Sequence, residues 1–427
     1  MKKHICVIGI DDFNLEMLNA FKEAEDYEYY PILDVSDLQH REKYSMQNLL
    51  EEAISVIDTL DISPDAVVGF WNFPVTCLTP LVARHYNLPC LPLDALIKSE
   101  HKFLSRSEQK KILPNAVPDF NLIDPFGDQP LNSVEIDFPF WLKPMVSFAS
   151  QLCFKVHDKE EFDEAITDIK KGIHRFADPF NYVLKQTDIP ETIKGIDGYY
   201  CLAEETISGK QCTVEGYVFD EQVGFTGVFD SLRHPKHETF FSYEYPSSLS
   251  QNVINEMKQM SKALLKGIGY NNGSFNIEYF YDEENDDIRL LEINPRISQS
   301  HSDSFNKVDG APNHKRLVEV ALNKKPEFPH NEGKFDVAAK FYYRVFKDGA
   351  VTNIPSEDEL EKIRDKIPDM RIKIWVEEET RLSELYDQDS YSYKLASVYL
   401  GAQTKDELYE KRERCFEMLN FKIDSEE

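Results

Sequence analysis

Residues 273–297 read GSFNIEYFYDEENDDIRLLEINPRI. Apolar and polar side chains alternate on both sides of the acidic segment DEENDD, which is typical of two β-strands joined by a turn. Side chains two positions apart share one face of a strand, so Glu292, Asn294 and Arg296 point one way while the apolar residues between them point the other. The turn brings Glu278 across from this polar face. One face therefore packs, and the other is free for chemistry or water.

The polar face has the composition of a magnesium site. Glu278, Glu292 and Asn294 supply two carboxylates and an amide oxygen, a hard oxygen set of the kind that holds Mg²⁺ together with phosphate oxygens. Arg296, one strand step further, is placed to meet a phosphate. The alternative is a solvated sheet face on which Glu and Arg side chains merely pair. On these residues alone both interpretations stay open.

Length, charge and cysteine usage narrow the class of protein. A chain of 427 residues is too long for one ordinary core, so two or three domains are expected. A net charge of -28, from 48 Lys and Arg against 76 Asp and Glu, argues against a nucleic-acid partner. No apolar run is long enough to span a membrane, and the seven scattered cysteines include no C-x-x-C pair. We therefore expect a cytoplasmic protein with reduced cysteines.

The chain divides into three predicted domains. Residues 1–95 alternate strands and helices, which predicts a parallel sheet covered by helices. Residues 96–325 mix strands and helices around the quoted stretch, and residues 332–427 form a smaller α+β domain. The proline-rich run KKPEFPHNEGK (324–334) is the candidate linker.

Three local predictions accompany this division. PCLPLD (89–94) is expected to add a strand to the parallel sheet. DVAAKFYYRVFKDGAV (336–351) is expected to open into a hairpin at KDG, and Thr404 is expected to cap the closing helix.

GSFNIEYFYD followed by LLEINPRI resembles the metal-binding end of the ATP-grasp superfamily, in which an acidic residue on one strand precedes E-x-N-x-R on the next. The resemblance implies two lysines upstream. SEHKFLSRSEQKKILPNAVPDF offers Lys102 at the start of a helix, and PFWLKPMVSFASQLCFKV offers Lys143 inside a strand. An ammonium on a flexible stem reaches phosphate oxygens as a point charge. As alternatives, Lys102 is a solvated helix lysine, whereas Lys143 interrupts an apolar strand.

The resemblance also implies an adenine hinge. AEETISGKQCTVEGY is similar to that element, with Glu204 as its carboxylate, Glu205 and Ile207 as backbone contacts to the base, and Gly209 giving the turn. Gln211 stands where some relatives carry an acidic residue for the ribose hydroxyls, and an amide can still bond two hydroxyls.

The loop after Lys143 departs from the family. Ser147 and Ser150 are expected to offer hydroxyls to the phosphates, but Phe148 stands where many relatives have glycine.

Beyond Arg296 the chain is too polar for a strand core. Ser298 and His301 are expected either to line a substrate pocket with Arg296 or to form a surface turn. His234 and His237 are open to the same two interpretations, and their spacing is no metal signature.

The resemblance implies an α/β and α+β protein of three-domain ATP-grasp architecture, with an N-terminal pre-ATP-grasp parallel sheet, a central ATP-grasp domain and a smaller C-terminal α+β domain. It implies a ligase that uses ATP and Mg²⁺, for which Mn²⁺ can substitute, to activate a small-molecule carboxylate as an acylphosphate for attack by an amine. Lys143, Arg296 and His301 are then the expected catalytic residues. A homodimer is common in this architecture. Biotin-carboxylase-like activation of bicarbonate, and a catalytically silent ATP-binding subunit, are the alternatives.

Overall fold

The computed structural model of the chain describes residues 2–35, 38, 44–147, 151–235, 239–385 and 392–424. The strands are β1 (Lys3–Ile10), β2 (Tyr27–Asp34), β3 (Ala66–Gly69), β4 (Phe120–Ile123), β5 (Phe140–Pro144), β6 (Phe154–Val156), β7 (Cys201–Glu205), β8 (Lys210–Phe219), β9 (Gln222–Arg233), β10 (Phe240–Tyr245), β11 (Gly273–Asp282), β12 (Asp287–Asn294), β13 (Val337–Val345), β14 (Ala350–Asn353), β15 (Arg371–Ile374), β16 (Tyr393–Ala402) and β17 (Lys422–Asp424). The α-helices are α1 (Asp12–Leu18), α2 (Met46–Thr59), α3 (Val75–His85), α4 (Leu93–Glu100), α5 (Lys102–Ile112), α6 (Lys159–Gly172), α7 (His174–Leu184), α8 (Gln251–Gly267), α9 (Ser302–Asp309), α10 (His314–Ala321), α11 (Glu357–Lys366) and α12 (Lys405–Met418).

The chain folds into two compact units. The first comprises Met1–Thr226, Leu249–Gln299 and His314–Glu327, and the second comprises Gly227–Ser248, Ser300–Asn313 and Phe328–Glu427. The predicted linker, 324–334, contains neither helix nor strand, and the chain passes from the first unit to the second within it. The three predicted domain boundaries stay predictions.

The first unit begins with a parallel sheet of strand order β2-β1-β3, as predicted. Ile5 and Val7 of β1 are fully buried, as expected of a central parallel strand covered on both faces. The further strand predicted over 89–94 is wrong, because these residues form no strand and α4 begins at Leu93. Pro92 immediately precedes that helix, where its fixed φ suits a helix start and its missing N–H costs no ladder hydrogen bond.

A second sheet of the first unit has the order β4-β7-β5-β6 and is antiparallel. Phe140 and Leu142 of β5 and Ala203 of β7 are buried on the face that packs against Phe162 of α6. Because side chains alternate along β5, Lys143 lies on the opposite face. The strand is therefore anchored by its apolar side chains and presents the lysine away from that core.

The quoted stretch forms the antiparallel pair β11 and β12, and β8 pairs with the other edge of β11. The predicted strand–turn–strand is confirmed, with the turn over 283–286. Ile277 and Ile293 lie opposite each other and are buried. Glu278 pairs with Glu292, one step along, which puts both carboxylates on the other face.

The second unit contains the later half of β9 and the antiparallel strands that come next to it across the sheet, in the order β10-β13-β16-β15. The predicted hairpin over 336–351 is wrong: β14 pairs with β17, with Val351 opposite Ile423, and not with β13. Val351 is fully buried in a cluster that includes Ile423, and this packing selects the partner strand. Thr404 caps α12 by accepting a hydrogen bond from the Glu407 N–H, as predicted.

Of the helices in the described residues, none is long and apolar enough to cross a membrane. All seven cysteines carry free thiols, and five of them are buried.

Candidate active site

The pairing of β11 with β12 gathers the predicted metal ligands. Glu278 lies directly opposite Glu292, and Asn276 lies directly opposite Asn294. Opposite residues of an antiparallel pair share a face, so two carboxylates and two amides occupy one patch at the end of the strands. Asn276 was not predicted from the sequence, although its position two residues before Glu278 places it on the same face.

Amide side chains hold the Glu278 carboxylate in place. Gln211 Nε2 donates to one carboxylate oxygen at 2.7 Å, and Asn294 Nδ2 donates to the other at 3.1 Å. Asn294 Nδ2 also donates to Asn276 Oδ1 at 3.0 Å. In this structure Gln211, predicted as a ribose contact, orients a predicted metal ligand.

Glu292 differs from Glu278 because its carboxylate is exposed and makes no hydrogen bond or ion pair with any described residue. The patch therefore offers the free Glu292 carboxylate, the Glu278 carboxylate, to which two amides donate, and the Asn294 amide oxygen. Hard oxygen donors of this kind suit Mg²⁺, so these residues fit the metal that the resemblance implies. The described residues contain no group of three or more His, Cys, Asp and Glu side chains arranged for a metal. A metal here takes its remaining ligands from water or phosphate.

Arg296 is held at the edge of the patch by three acceptors. Its Nε donates to Asn72 Oδ1 at 2.5 Å, its Nη2 to Asn294 Oδ1 at 3.1 Å, and its Nη1 to the Ile297 carbonyl at 3.2 Å. Asn72 follows β3 of the parallel sheet, so that sheet helps to orient the guanidinium. Arg296 has no carboxylate partner among the described residues.

Lys102, the first residue of α5, makes no side-chain hydrogen bond or ion pair with any described residue. The pKa of Glu100, two residues before Lys102, shows which charged groups lie near it. Burial raises the pKa of Glu100, the charge of Glu292 adds to this rise, and Lys102 and Arg296 oppose it. Lys102, Arg296 and Glu292 therefore each lie within electrostatic reach of Glu100. Lys102 supplies a free ammonium near this buried carboxylate.

Lys143 is oriented by a buried ion pair. Its Nζ donates to Glu204 Oε1 at 2.9 Å, and Glu204 also accepts from Arg106 Nε at 3.0 Å and from Arg106 Nη2 at 2.9 Å. Burial alone raises the pKa of Glu204, but the positive charges of Arg106 and Lys143 outweigh it and lower the pKa to about 2. Arg106 further donates to the carbonyls of Leu290 and Leu291. It thereby ties α5, β7 and β12 together.

The predicted adenine hinge connects β7 to β8. Ile207 is half-buried in the connection, and Glu205 at the end of β7 accepts from Arg289 Nη2 at 3.0 Å and from the Asp119 N–H at 3.2 Å. Gly209 has φ +122°, and a Cβ added there would lie 2.5 Å from the Tyr281 carbonyl oxygen. The turn therefore requires glycine, as predicted.

The remaining predicted residues are placed as follows. Ser147 Oγ lies 3.4 Å from Cys153 Sγ, and Ser150 and Phe148 lie outside the described residues. The Ser298 N–H donates to Glu215 Oε1 at 3.3 Å. Glu215 is fully buried and is ion-paired with Arg316.

His301 belongs to the second unit, where it is buried and stacked on Phe229 with ring centroids 3.8 Å apart. His234, also in the second unit, contacts Phe346, and His237 lies outside the described residues. The catalytic role of His301 stays a prediction.

Comparison with known proteins finds a family match in the middle of the chain. Residues 136–303 match the family described as the ATP-grasp domain. The chain therefore contains an ATP-grasp domain over these residues. The matched residues contain Lys143, the hinge and all the predicted metal ligands, whereas Lys102 and Asn72 precede them.

Solved structures share the fold. An L-amino acid ligase from Bacillus licheniformis is similar with a TM-score of 0.71 and 16% identity, covering 99% of each chain. A biotin carboxylase from Campylobacter jejuni, solved as a β,γ-ATP complex, is similar with a TM-score of 0.66 and 14% identity, covering 99% of this chain and 92% of that one. The predicted fold class, three-domain ATP-grasp architecture with parallel and antiparallel sheets, is confirmed.

The carbamoyl phosphate synthase large chain of Thermoanaerobacter sp. (strain X514) is 23% identical over 239 residues, which cover 54% of this chain. This chain spans only 20% of that relative's length in the match.

Two residues of the candidate site were not predicted from the sequence. Arg106 stands four residues after Lys102 on the same helix face, and this spacing was the available indication. Asn72 lies just after β3 of the N-terminal sheet, and nothing in its local sequence indicates a contact with Arg296. Only the folded chain brings it within hydrogen-bonding distance.

Proposed function

We propose that the chain is an ATP-dependent ligase that activates a small-molecule carboxylate as an acylphosphate for attack by an amine, giving an amide or dipeptide, ADP and phosphate. The observation that carries the proposal is the patch on β11 and β12. There Glu278 faces Glu292, the Glu292 carboxylate is exposed and unpaired, and Arg296 stands beside it. The match to the ATP-grasp domain over this same patch supports it.

The side chains divide into two groups with different tasks. Glu278, Glu292 and Asn294 would hold Mg²⁺, or Mn²⁺ in its place. When bound, this ion neutralises charge on the β- and γ-phosphates of ATP. Lys102, Lys143 and Arg296 supply cations for the same phosphates.

The reaction itself needs positioning more than covalent chemistry by the protein. A carboxylate oxygen of the substrate attacks the γ-phosphorus, and ADP leaves. The neutral amine then attacks the acyl carbon, phosphate departs with the bonding electrons, and the amine loses a proton. Lys143 and Arg296 would stabilise the negative charge that passes between the phosphate groups. Both begin the reaction already oriented, by Glu204 and by Asn72 respectively.

The nucleotide base would bind at the hinge. The connection between β7 and β8 is an open turn whose glycine cannot be replaced without a clash, and Ile207 is half-buried there. Glu205 and Ile207 would present backbone groups to adenine. Both oxygens of the Glu204 carboxylate bond cations in this structure, which favours a role in orienting Lys143 over direct reading of the base.

A second candidate is activation of bicarbonate as its carboxylate substrate. The structural similarity to a biotin carboxylase favours it. A silent ATP-binding subunit is a third possibility, which the free Glu292 and Lys102 side chains disfavour, because both groups are left available for a ligand.

The test is ADP release from ATP with pooled amino acids, with bicarbonate plus biotin, and with neither, each in the presence and absence of Mg²⁺. We expect Mg²⁺-dependent release that one amino-acid pair stimulates. Stimulation by bicarbonate and biotin alone would replace the proposal with the second candidate. ATP binding without any turnover would favour the silent subunit.

Glu292→Gln tests the metal assignment. We expect ADP release to fall at least about a hundredfold, since even the outer-shell partners of metal ligands contribute up to that much. Glu283→Gln, an exposed glutamate in the turn of the same strand pair, is the matched control and should be fully active. Full activity of Glu292→Gln, with folding of both variants confirmed by circular dichroism, would refute the assignment.

A further inference from the structure

Glu100, the last residue of α4, differs from the buried carboxylates of the first unit. It is half-buried and makes no ion pair with any described residue. The carboxylates that the structure describes as buried in this unit each pair with a cation: Glu204 with Arg106, Glu215 with Arg316, and Glu319 with Lys315. Removing a carboxylate from water without a counter-charge is costly. Glu100 is therefore suited to a ligand that brings a positive charge.

Two cations lie near Glu100, but neither pairs with it. Burial raises the pKa of Glu100, whereas the charges of Lys102 and Arg296 lower it, which places both cations within electrostatic reach. Lys102 makes no side-chain bond with a described residue, and Arg296 donates only to amide and carbonyl oxygens in the described part of the chain. Both cations therefore stay available for phosphates, and the Glu100 carboxylate stays unpaired.

A buried hydroxyl without a partner stands beside Glu100. Thr76, in the first turn of α3, is 7% exposed, and its side chain lowers the pKa of Glu100, which places the two groups side by side. No hydrogen bond of normal geometry joins them, because Thr76 Oγ1 has no partner among the described residues. Nearly all buried polar groups are bonded. An unbonded hydroxyl next to an unpaired carboxylate therefore indicates room for a donor that reaches both.

An ammonium group has what this pair of side chains lacks. It carries three N–H donors and a positive charge, whereas the carboxylate and the hydroxyl offer oxygen acceptors. Hydrogen bonds between an ammonium and a carboxylate are among the strong ones, because charge assists them. Glu100 and Thr76 together therefore have the chemistry of a site for a cationic amine.

The proposed reaction always brings such a group to the site. Its acceptor is an amine, and α-amino and lysine-type amino groups, with pKa values of about 8 and about 10, are mostly protonated at neutral pH. The substrate that is activated needs a carboxylate but no amino group. An unpaired carboxylate repels that anionic substrate and attracts the cationic acceptor.

We propose that Glu100 binds the ammonium group of the acceptor amine, with Thr76 accepting a second hydrogen bond from it. The inference rests on the proposed ligase function and names its acceptor class, amines that are cationic at neutral pH. An uncharged nucleophile gains no ion pair at Glu100, so this residue contributes to the choice of acceptor. Lys102 and Arg296 are left to the phosphates.

Competition between two nucleophiles tests the proposal in the full chain, with ATP, Mg²⁺, pooled amino acids and hydroxylamine in one mixture. Hydroxylamine is largely uncharged at neutral pH and traps an acylphosphate as a hydroxamate. The ratio of amide to hydroxamate, measured by mass spectrometry, isolates the acceptor step because both products come from the same acylphosphate. We expect Glu100→Gln to lower this ratio roughly tenfold or more, the value of a hydrogen bond to a charged group. Glu256→Gln, an exposed glutamate of α8 in the same unit, is the matched control and should leave the ratio unchanged.

Two further variants separate binding of the acceptor from support of the fold. Glu100→Asp keeps the charge and should restore part of the ratio. Thr76→Val should lower the ratio about two- to tenfold, the value of an uncharged hydrogen bond. It should not lower the melting temperature, since the hydroxyl has no bond to lose. Thr76→Val also keeps the test valid if Glu100→Gln does not fold.

Each result bears on a different claim. An unchanged ratio in Glu100→Gln, or in Thr76→Val if only that variant folds, would overturn the role in acceptor binding and leave the ligase in place. An equal fall of amide and hydroxamate would overturn it as well, because Glu100 would then act on the activated substrate, on a metal ion or on the fold. Absence of hydroxamate from the wild type would overturn the proposed function itself.

Discussion

Glu204 shows how one buried carboxylate holds two cations in a fixed position. The carboxylate binds Arg106 through two hydrogen bonds and Lys143 through one, and all three groups lie away from solvent or nearly so. The pair with Arg106 is structural, since that guanidinium also bonds two carbonyls of β12. Lys143 is the more exposed of the two cations, and its proposed role requires it to turn to a phosphate while Arg106 stays paired with Glu204. Glu204 therefore stabilises the fold and orients Lys143 at once.

Loss of the Glu204 charge should destabilise the protein in a pH-dependent way. The folded pKa of about 2 lies below the ordinary value of 4.5, so this carboxylate stabilises the fold above about pH 4.5, and the contribution is lost as the pH falls towards 2. The shift corresponds to about 3 kcal/mol at neutral pH. Glu204→Gln should lower the free energy of unfolding by about that amount at pH 7, measured by urea denaturation.

The deficit of Glu204→Gln relative to the wild type should shrink as the pH is lowered from about 4.5 to 2. Glu361→Gln, an exposed glutamate of α11, should show no deficit at any pH. A deficit that is constant across this range would mean that packing of the side chain, and not its charge, is the source of the effect.

Asn72 is expected to act through Arg296. Without its amide oxygen the guanidinium loses the acceptor of its Nε and can rotate away from the metal patch. Misplacement of a catalytic group by about 1 Å costs on the order of a hundredfold in rate. Asn72→Ala should therefore lower kcat about ten- to a hundredfold with little change in the KM for ATP, measured in the ADP-release assay.

Asn48→Ala, an exposed asparagine of α2, is the matched control for Asn72→Ala and should leave both constants unchanged. A change in KM alone would contradict the positioning role, because it would mean that Asn72 contributes to ground-state binding of ATP only.

At the level of elements, the sequence predicts best where local pattern and tertiary pairing agree. The alternation in 273–297 predicts β11, β12 and their shared polar face, because the turn joins strands that are neighbours in the sheet. Local pattern does not predict the pairing of β14, because its partner β17 lies some seventy residues further along the chain. Proline and leucine in PCLPLD suit a strand end and a helix start equally well. Contacts such as Arg106 with Glu204 depend on how separate elements meet, which no local pattern contains.

The hinge offers an element-scale prediction based on two glycines. Gly209 and Gly195 both have positive φ, but an added Cβ would clash with the Tyr281 carbonyl only at Gly209 and would meet nothing within 4 Å at Gly195. Gly195→Ala should cost about 1 kcal/mol from backbone strain alone. Gly209→Ala should cost more and also weaken ADP binding, because the turn must shift away from β11.

Thermal denaturation and ADP titration of the two glycine variants make the comparison direct. Equal losses of stability, with ADP affinity unchanged in both, would show that the approach of the hinge to β11 does not matter for the nucleotide.

At the scale of the whole molecule, the net charge of -28 opposes the approach of a nucleotide while it favours a divalent cation. The cations predicted to meet the phosphates, Lys102, Lys143 and Arg296, act at short range. Long-range repulsion between the acidic chain and an anion is screened by salt, whereas contacts within a few ångströms are screened much less.

Because salt screens the long-range charge of the chain, we predict opposite effects of salt on the nucleotide and on Mg²⁺. Raising the NaCl concentration from about 10 to 150 mM shortens the Debye length from about 30 to 8 Å. The association rate of a fluorescent ADP analogue, measured by stopped flow at fixed Mg²⁺, should then rise about two- to tenfold. Mg²⁺ affinity, measured by calorimetry without nucleotide, should fall over the same range, because its attraction to the acidic chain is screened. A slower association of the nucleotide at higher salt would contradict this prediction. It would mean that attraction by the lysines and Arg296, and not repulsion by the overall negative charge, controls the approach of the nucleotide.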